Sequence, residues 1–279
     1  MTKLSIIIPI YNEARIIGNF LKKLQSTFKE VDCKYIFIDD GSNDGTSDIL
    51  KKIIPNLFNN KNYQEVRLNK NYGKANAVKK GVEFIEGEYT LLIDSDLEYD
   101  PKDALELYET AVNNQDINVI QGSRYFGAKV QSRKHFFNDI AVRINTFLFN
   151  FLFSQSITDL HTGTKIIKSH LMKKLDLSFS RFGLEIDINS QIAKKNINIF
   201  EYGVSYIERS KIDGKKITLI DGLLAYYFLF KARFIQNDYT TNLSVLYAFS
   251  FMTYAGTFFG LGIGKILITI VFSIIGLFI

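Results

Sequence analysis

The chain has 279 residues, 47% hydrophobic and 23% charged, with a formal net charge of +5. This is enough apolar material for one large or two modest globular cores, and it excludes a disordered, collagen-like or low-complexity chain. A single cysteine, Cys33, excludes an internal disulfide and a thiolate metal cluster, and the mild positive charge fits anionic lipid or phosphate-bearing substrates, with nucleic acid arguable from the same figure.

In chain order, residues 4–8 read as a buried strand closed by Pro9 and the turn-prone Tyr11-Asn12. Ile16, Ile17, Phe20, Leu21 and Leu24 then recur at helical spacing to about Phe28. Residues 35–38 form strand two, closed by Asp39-Asp40-Gly41-Ser42. A helix with Ile49, Leu50, Ile53 and Ile54 on one face follows, with Ser42, Asn43 or Asp44 as its cap. Strand three is expected at 65–68, a helix led by Gly73-Lys74 runs to about Ile85, and strand four covers 90–93. Strands alternating with helices predict a parallel sheet covered on both faces.

Beyond Pro101 the rhythm changes. A helix is expected at 104–112 and a strand at 119–122. Residues 133–153 carry Phe136, Phe137, Ile140, Ile144, Phe147 and Phe151 among Arg133, Lys134 and Arg143, so this helix is either core or a surface element resting on a bilayer. Segments 159–165, 182–187 and 202–216 are turn-rich and polar, like the walls of a site. Residues 223–234 read as an interfacial helix. Residues 243–264 hold no charge and meet the roughly 20 residues needed to span a bilayer; 266–279 are apolar but short, so a second span completing a hairpin is the weaker expectation. Gly256, Gly260, Gly262 and Gly264 suit close helix packing, including with a second copy. The N-terminus has no secretory signal pattern, and Lys231 and Arg233 upstream of the apolar run put the preceding domain on the cytoplasmic side of the membrane.

The strand ends carry the chemistry. Residues 90–101, TLLIDSDLEYDP, drive an aliphatic run into Asp94-Ser95-Asp96 with Glu98 close behind. Clustered carboxylates repel, and a hard divalent cation, Mg²⁺ or Mn²⁺, relieves that repulsion while leaving positions for substrate phosphates. In a parallel sheet, the loops Pro9–Glu13, Asp39–Ser42 and Asp94–Asp96 share one edge. Neither GxGxxG nor GxxxxGK[ST] is present, so the site binds a nucleoside diphosphate through a metal, which points to a nucleotide sugar.

The ordered segments SIIIPIYNE, FIDDGSNDGT, NKNYGKANAVKKG, LLIDSDLEYDP, QGSRY, DLHTGTK, FGLEIDI and ERSKIDGKK resemble those of family 2 inverting glycosyltransferases of the GT-A fold, closest to the dolichol-phosphate mannose synthase and polyprenyl-phosphate glycosyltransferase branch. The resemblance implies an α/β, Rossmann-like, mostly parallel catalytic domain over 1–220, an interfacial helix and linker over 221–242, and a membrane segment over 243–279. It implies that Pro9, Tyr11, Glu13, Ile38, Asp39, Asp40, Lys74, Asp94, Ser95 and Asp96 bind the nucleotide sugar. Asp96 and Glu98, with Asp94, hold the metal. Arg124, Arg133, Arg209 and Lys215 hold donor or acceptor phosphates, and Asp94, Asp96, Arg124, Arg209 and Glu185 are the catalytic set. The implied partners are a GDP- or UDP-hexose, a polyprenyl phosphate and a bilayer, with no nucleic acid.

Family members often have glutamine at the position of Glu98. Thr164 stands where an aromatic is usual, Gly203 replaces a common proline, and the basic segment 209–216 is spaced unlike that of the mannose synthases, so mannose is not assigned as the donor sugar. A phosphate acceptor is already ionised near neutral pH and needs little general base. A hydroxyl acceptor on a lipid-linked glycan or glycolipid would need a base, with Glu185 or Asp187 as candidates. A non-catalytic nucleotide-binding protein tethered to the membrane is the remaining alternative. His135, His161 and His170 show no ligand spacing and are read as non-catalytic.

Overall fold

A computed structural model of the chain describes residues 4–178, 183–209 and 219–235. The chain divides into two units, Met1–Leu229 and Phe230–Ile279. In the first, β1 (Leu4–Ile10), β2 (Cys33–Asp39), β3 (Tyr63–Arg67) and β4 (Tyr89–Leu92) alternate with α1 (Ile17–Thr27), α2 (Thr46–Leu57) and α3 (Lys74–Val82). Then come α4 (Pro101–Asn113), β5 (Val119–Ser123), β6 (Gln131–Ser132), α5 (Phe136–Phe153), β7 (Lys165–Lys168), α6 (Ser169–Met172), α7 (Leu184–Lys194), β8 (Phe200–Gly203), β9 (Tyr206–Ile207) and α8 (Leu219–Phe230). In the second unit the described residues include a π-helical turn, Lys231–Ile235. Residues 236–279, where the membrane span is expected, lie outside the described residues. Among those described, no helix is long and apolar enough to cross a membrane.

The main sheet has seven strands in the order β3-β2-β1-β4-β7-β5-β8. All pairings are parallel except those of β7, which runs antiparallel to both β4 and β5. The aliphatic runs are continuous because both faces are covered: Leu4, Ile6 and Ile8 pack with Phe20, Leu24, Leu50 and Leu107 on one side. Ile7, Ile36 and Ile38 meet Ala77, Val78, Ile188 and Ile192 on the other.

Two expectations change. Lys165, read as the end of a turn-rich segment, instead opens the reversed strand β7, whose remaining residues carried no expectation: its two central isoleucines face opposite cores, and its flanking lysines mask the pattern. Helix α5 is neither wholly core nor wholly surface. Asn145, Thr146, Phe149 and Phe153 are buried while Phe136, Phe137, Phe147 and Phe151 are each about 70% exposed or more. The strand order reverses direction of growth at β1, between β2 and β4, so a crevice opens beyond their carboxyl ends.

Candidate active site

That crevice is a cavity of about 380 Å³. Pro9, Tyr11 and Glu13 reach it from the end of β1. The β1 loop is fixed to the β2 loop by backbone amides: Asn12 donates to Ser42 Oγ at 3.0 Å and Glu13 to Thr46 Oγ1 at 2.9 Å. Asp40 also lines the cavity, and its carboxylate accepts the amides of Tyr72 and Gly73, both at 2.8 Å, so it locks the entry to α3. Burial raises the Asp40 carboxyl above its usual range despite those two bonds. Asp39 instead faces its own loop, accepting from the Ser42 amide at 2.9 Å and from the Ser47 hydroxyl.

Beyond β4, Asp94, Ser95, Asp96 and Glu98 all line the cavity. Lys74, at the first turn of α3, lies 2.7 Å from Asp94 Oδ1 and 2.8 Å from Glu185 Oε1 at the start of α7. Burial works against a charged Glu185, but the Lys74 charge and hydrogen bond outweigh it and hold the carboxyl below its usual range. Gly163 closes over Asp94 so tightly that a β-carbon there would collide with the carboxylate. The neighbouring Thr164 is fully buried, where an aromatic ring is usual in the family the motifs resemble.

Arg209 gathers the acidic edge. Its guanidinium donates to Glu13 at 2.8 and 3.3 Å and to Asp96 at 3.2 Å, while its backbone amide donates to Glu98 Oε1 at 2.9 Å. Tyr206 adds a hydrogen bond to Glu98 at 2.8 Å. Burial, with Asp94 and Glu98 nearby, pushes the Asp96 carboxyl up to about 7 against the pull of Arg209. The donor set here is carboxylate oxygen alone, which suits a hard divalent ion. Among the described residues no group of three or more His, Cys, Asp or Glu forms a ready metal cage. The buried Arg209 Nε has no hydrogen-bond partner, Glu98 Oε1 standing 3.8 Å away, so the cluster leaves one donor of the guanidinium unsatisfied.

The basic side is equally organised. Arg124, after β5, forms a two-point pair with buried Asp159, both bonds 2.7 Å. Arg133 lies outside the cavity lining and stacks over the Tyr125 ring at 4.1 Å. Ile38 sits in the core, and Lys215 lies outside the described residues. Asp187, the second candidate base, points away from the cavity lining and accepts from the Ser178 amide and Gln191. Below the floor, buried Lys165 donates to Gln121 Oε1 at 2.5 Å, with Asn189 sharing that acceptor at 3.1 Å. Burial lowers Lys165 to about 8 and His161, which does line the cavity, to about 4. Sequence reasoning missed Tyr99, Asn145 and Tyr206 as lining residues and set His161 aside. Tyr99, His161 and Tyr206 fall within the acidic and polar segments that pointed toward the site, whereas Asn145 sits in the apolar helix α5, where nothing in the sequence marked it. At Gly203, a β-carbon would strike the Phe126 carbonyl, which excludes a larger residue in this backbone.

The family model for glycosyl transferase family 2 matches residues 5–176, which carry the acidic strand ends and Lys74. The chain belongs to that family. As a family 2 glycosyltransferase it is 27% identical to a dolichyl-phosphate beta-glucosyltransferase of Dictyostelium discoideum, over 77% of this chain and 68% of that one. It is 30% identical to an undecaprenyl-phosphate 4-deoxy-4-formamido-L-arabinose transferase of Pseudomonas syringae, over 40% of this chain and only 34% of that protein. The fold matches glucosyl-3-phosphoglycerate synthase from Mycobacterium tuberculosis, solved with Mn²⁺ and UDP-glucose. The TM-score is 0.65 at 14% identity, covering 83% of this chain and 79% of that one. This is the GT-A fold expected from the motifs.

Proposed function

We propose that this glycosyltransferase moves a hexose from a nucleoside-diphosphate sugar to a polyprenyl phosphate, with inversion at the anomeric carbon, at the cytoplasmic face of a membrane. The observation that carries the choice of acceptor is the Lys74–Glu185 pair. A hydroxyl acceptor needs a general base with a pKa near the working pH, whereas Glu185 is held below the carboxylate range and Asp187 faces elsewhere. Neutral His161, depressed to about 4, is a poor base as well. A phosphate monoester arrives largely ionised and needs only orientation and charge compensation. The named activities of the Dictyostelium and Pseudomonas relatives support the same acceptor class.

In this reading Tyr11 stacks on the base, and Glu13 and Asp40 set the polar edge of the nucleoside pocket. Asp96 and Glu98, with Asp94 beside them, would hold the divalent ion, which when bound offsets charge on the diphosphate. An acceptor phosphate oxygen bonds to the anomeric carbon as the carbon–oxygen bond to the diphosphate breaks, and the electron pair leaves with the nucleoside diphosphate. Arg209, Arg124 and Lys74 are cations of the cavity lining that can offset that charge, each already aligned by a carboxylate. The test is transfer of labelled hexose from a panel of nucleotide sugars to undecaprenyl or dolichyl phosphate in vesicles, with the product anomer read by NMR. Label appearing only on hydroxyl acceptors, or retention of configuration, would refute the reading.

A further inference from the structure

Two polar residues of the cavity lining have no part in the scheme above. Asn145 is buried on α5, a helix that otherwise packs inward through Thr146, Phe149 and Phe153. His161 lies between Asp159 and Gly163 in the segment that enters β7. Asn145 Nδ2 meets His161 Nε2 at 3.2 Å. The frame around this contact is tied down. Thr146 Oγ1 accepts the Leu160 amide at 3.1 Å, the Asn150 side chain bonds the Ile157 carbonyl and amide at 2.7 and 3.1 Å, and the His161 amide donates to Asp159 Oδ1 at 3.3 Å.

The pairing is incomplete on both sides. Asn145 Oδ1 is buried with no hydrogen-bond partner, and turning the amide over leaves its nitrogen unpaired instead. A buried amide left half-paired is costly, so its place in an apolar helix needs a reason. Among the described residues the hydrogen bonds of His161 use only Nε2 and the backbone amide, which leaves Nδ1 for a ligand. Burial, with Arg124 and Lys165 adding to it against Glu185 and Asp159, keeps the ring neutral. Nδ1 therefore donates in one tautomer and accepts in the other. A hydroxyl, donor and acceptor at once, suits either. An ionised phosphate only accepts, and is held best by a charged donor.

Strand order says which hydroxyl. The strands cross the cavity in the sequence β2-β1-β4-β7. Pro9, Tyr11, Glu13 and Asp40 stand at the ends of β1 and β2, and Asp94, Asp96 and Glu98 follow β4. His161 arrives from the β7 side, just ahead of Gly163, which closes over Asp94. A nucleoside diphosphate laid from the first group to the second carries its sugar toward His161. We propose that His161 reads a hydroxyl of the donor hexose through Nδ1, and that Asn145 is the positioning residue that holds the imidazole for it. This deepens the nucleotide-sugar reading and rests on it, and a polyprenyl phosphate brings no hydroxyl to compete.

The test reads donor binding with no acceptor present. Calorimetry on the full chain with Mn²⁺ ranks a panel of UDP- and GDP-hexoses, each against its bare nucleoside diphosphate, and then the monodeoxy forms of the sugar bound best. In the parent, one deoxy form is expected to bind about tenfold more weakly than the full sugar, the scale of one hydrogen bond. His161→Leu and Asn145→Leu should each bring that form to within about twofold of the full sugar, with affinity for the bare diphosphate unchanged. His161→Gln, which keeps a donor and an acceptor, should restore part of the difference, and it serves alone with Asn145→Leu if melts show His161→Leu unfolded. Discrimination retained in the Leu variants would overturn the proposal. So would a loss that falls equally on the bare diphosphate, since that is a structural role. A parent that binds no nucleotide sugar better than its diphosphate overturns the donor reading itself. A wrong choice of acceptor leaves every one of these readouts in place, so the two failures are told apart.

Discussion

Lys74 and Glu185, 111 residues apart in sequence, meet at 2.8 Å at the floor of the cavity. One ammonium ties α3 to the start of α7 and, through Asp94, to the end of β4. Removing it leaves two carboxylates facing each other. Lys74→Met is expected to cost roughly 3 kcal/mol of stability, because truncating one partner of a buried pair strands the other, and to lower kcat/KM at least tenfold. The pair also has a pH signature. The folded pKa of Glu185 is depressed, so its contribution is present above the unfolded carboxylate value, about 4.3, and is lost as pH falls through the lower folded value. Acid melts should show that loss in the parent and not in Lys74→Met.

Asp96→Ala is expected to reduce metal-dependent turnover by about 10²-fold or more, the scale seen when a preorganised electrostatic group is removed. Chelation of divalent ions should abolish turnover in the parent. Full activity in excess chelator would remove the metal from the scheme.

Arg209→Gln separates binding from chemistry. Glu13, Asp96 and Glu98 lose their shared cation, so Mn²⁺ titrated calorimetrically should bind severalfold tighter, while turnover falls by about 10²-fold as charge compensation at the diphosphate is lost.

Gly163→Ala forces the Asp94 carboxylate off Lys74, because the new methyl takes its place. The side chain can swing away, so stability should change by only about 1 kcal/mol. The donor KM should rise and kcat fall, checked by parallel melts and kinetics.

Lys165 predicts alkaline behaviour. Its folded pKa, about 8, lies below the unfolded value, so the folded state releases its proton first. Stability therefore rises as pH climbs from about 8 to about 10.5, by up to a few kcal/mol. Urea melts of Lys165→Met should lack that rise relative to the parent.

The half of the sheet that makes the nucleotide edge was legible because aliphatic runs and acidic strand ends are local signals: Ile6-Ile7-Ile8, Ile36-Phe37-Ile38 and Leu91-Leu92 fall in β1, β2 and β4. The pairings that decide each side chain's state were not legible, since they join distant segments. Arg209 meets Glu13 across 196 positions, and Arg124 meets Asp159 across 35. Lys165 was readable as a motif residue but not as a buried one, because its partner Gln121 is brought opposite by a reversed strand. The divided character of α5 escaped for another reason: phenylalanine occurs on both its buried and its exposed faces, so composition could not tell one from the other.

The reversal of β7 has a consequence for how this enzyme can vary. Leu92 pairs with Lys165, so the segment that enters β7 arrives beside the segment that leaves β4, and Gly163 is set against Asp94 by strand register. Adding or deleting one residue between Asp159 and Lys165 would turn every β7 side chain to the opposite face, exchanging Lys165 for an isoleucine beneath the floor. An insertion or deletion there is therefore expected to disturb the approach of Gly163 to Asp94 and the seat of Lys165 together, whereas substitutions that keep the length leave both in register.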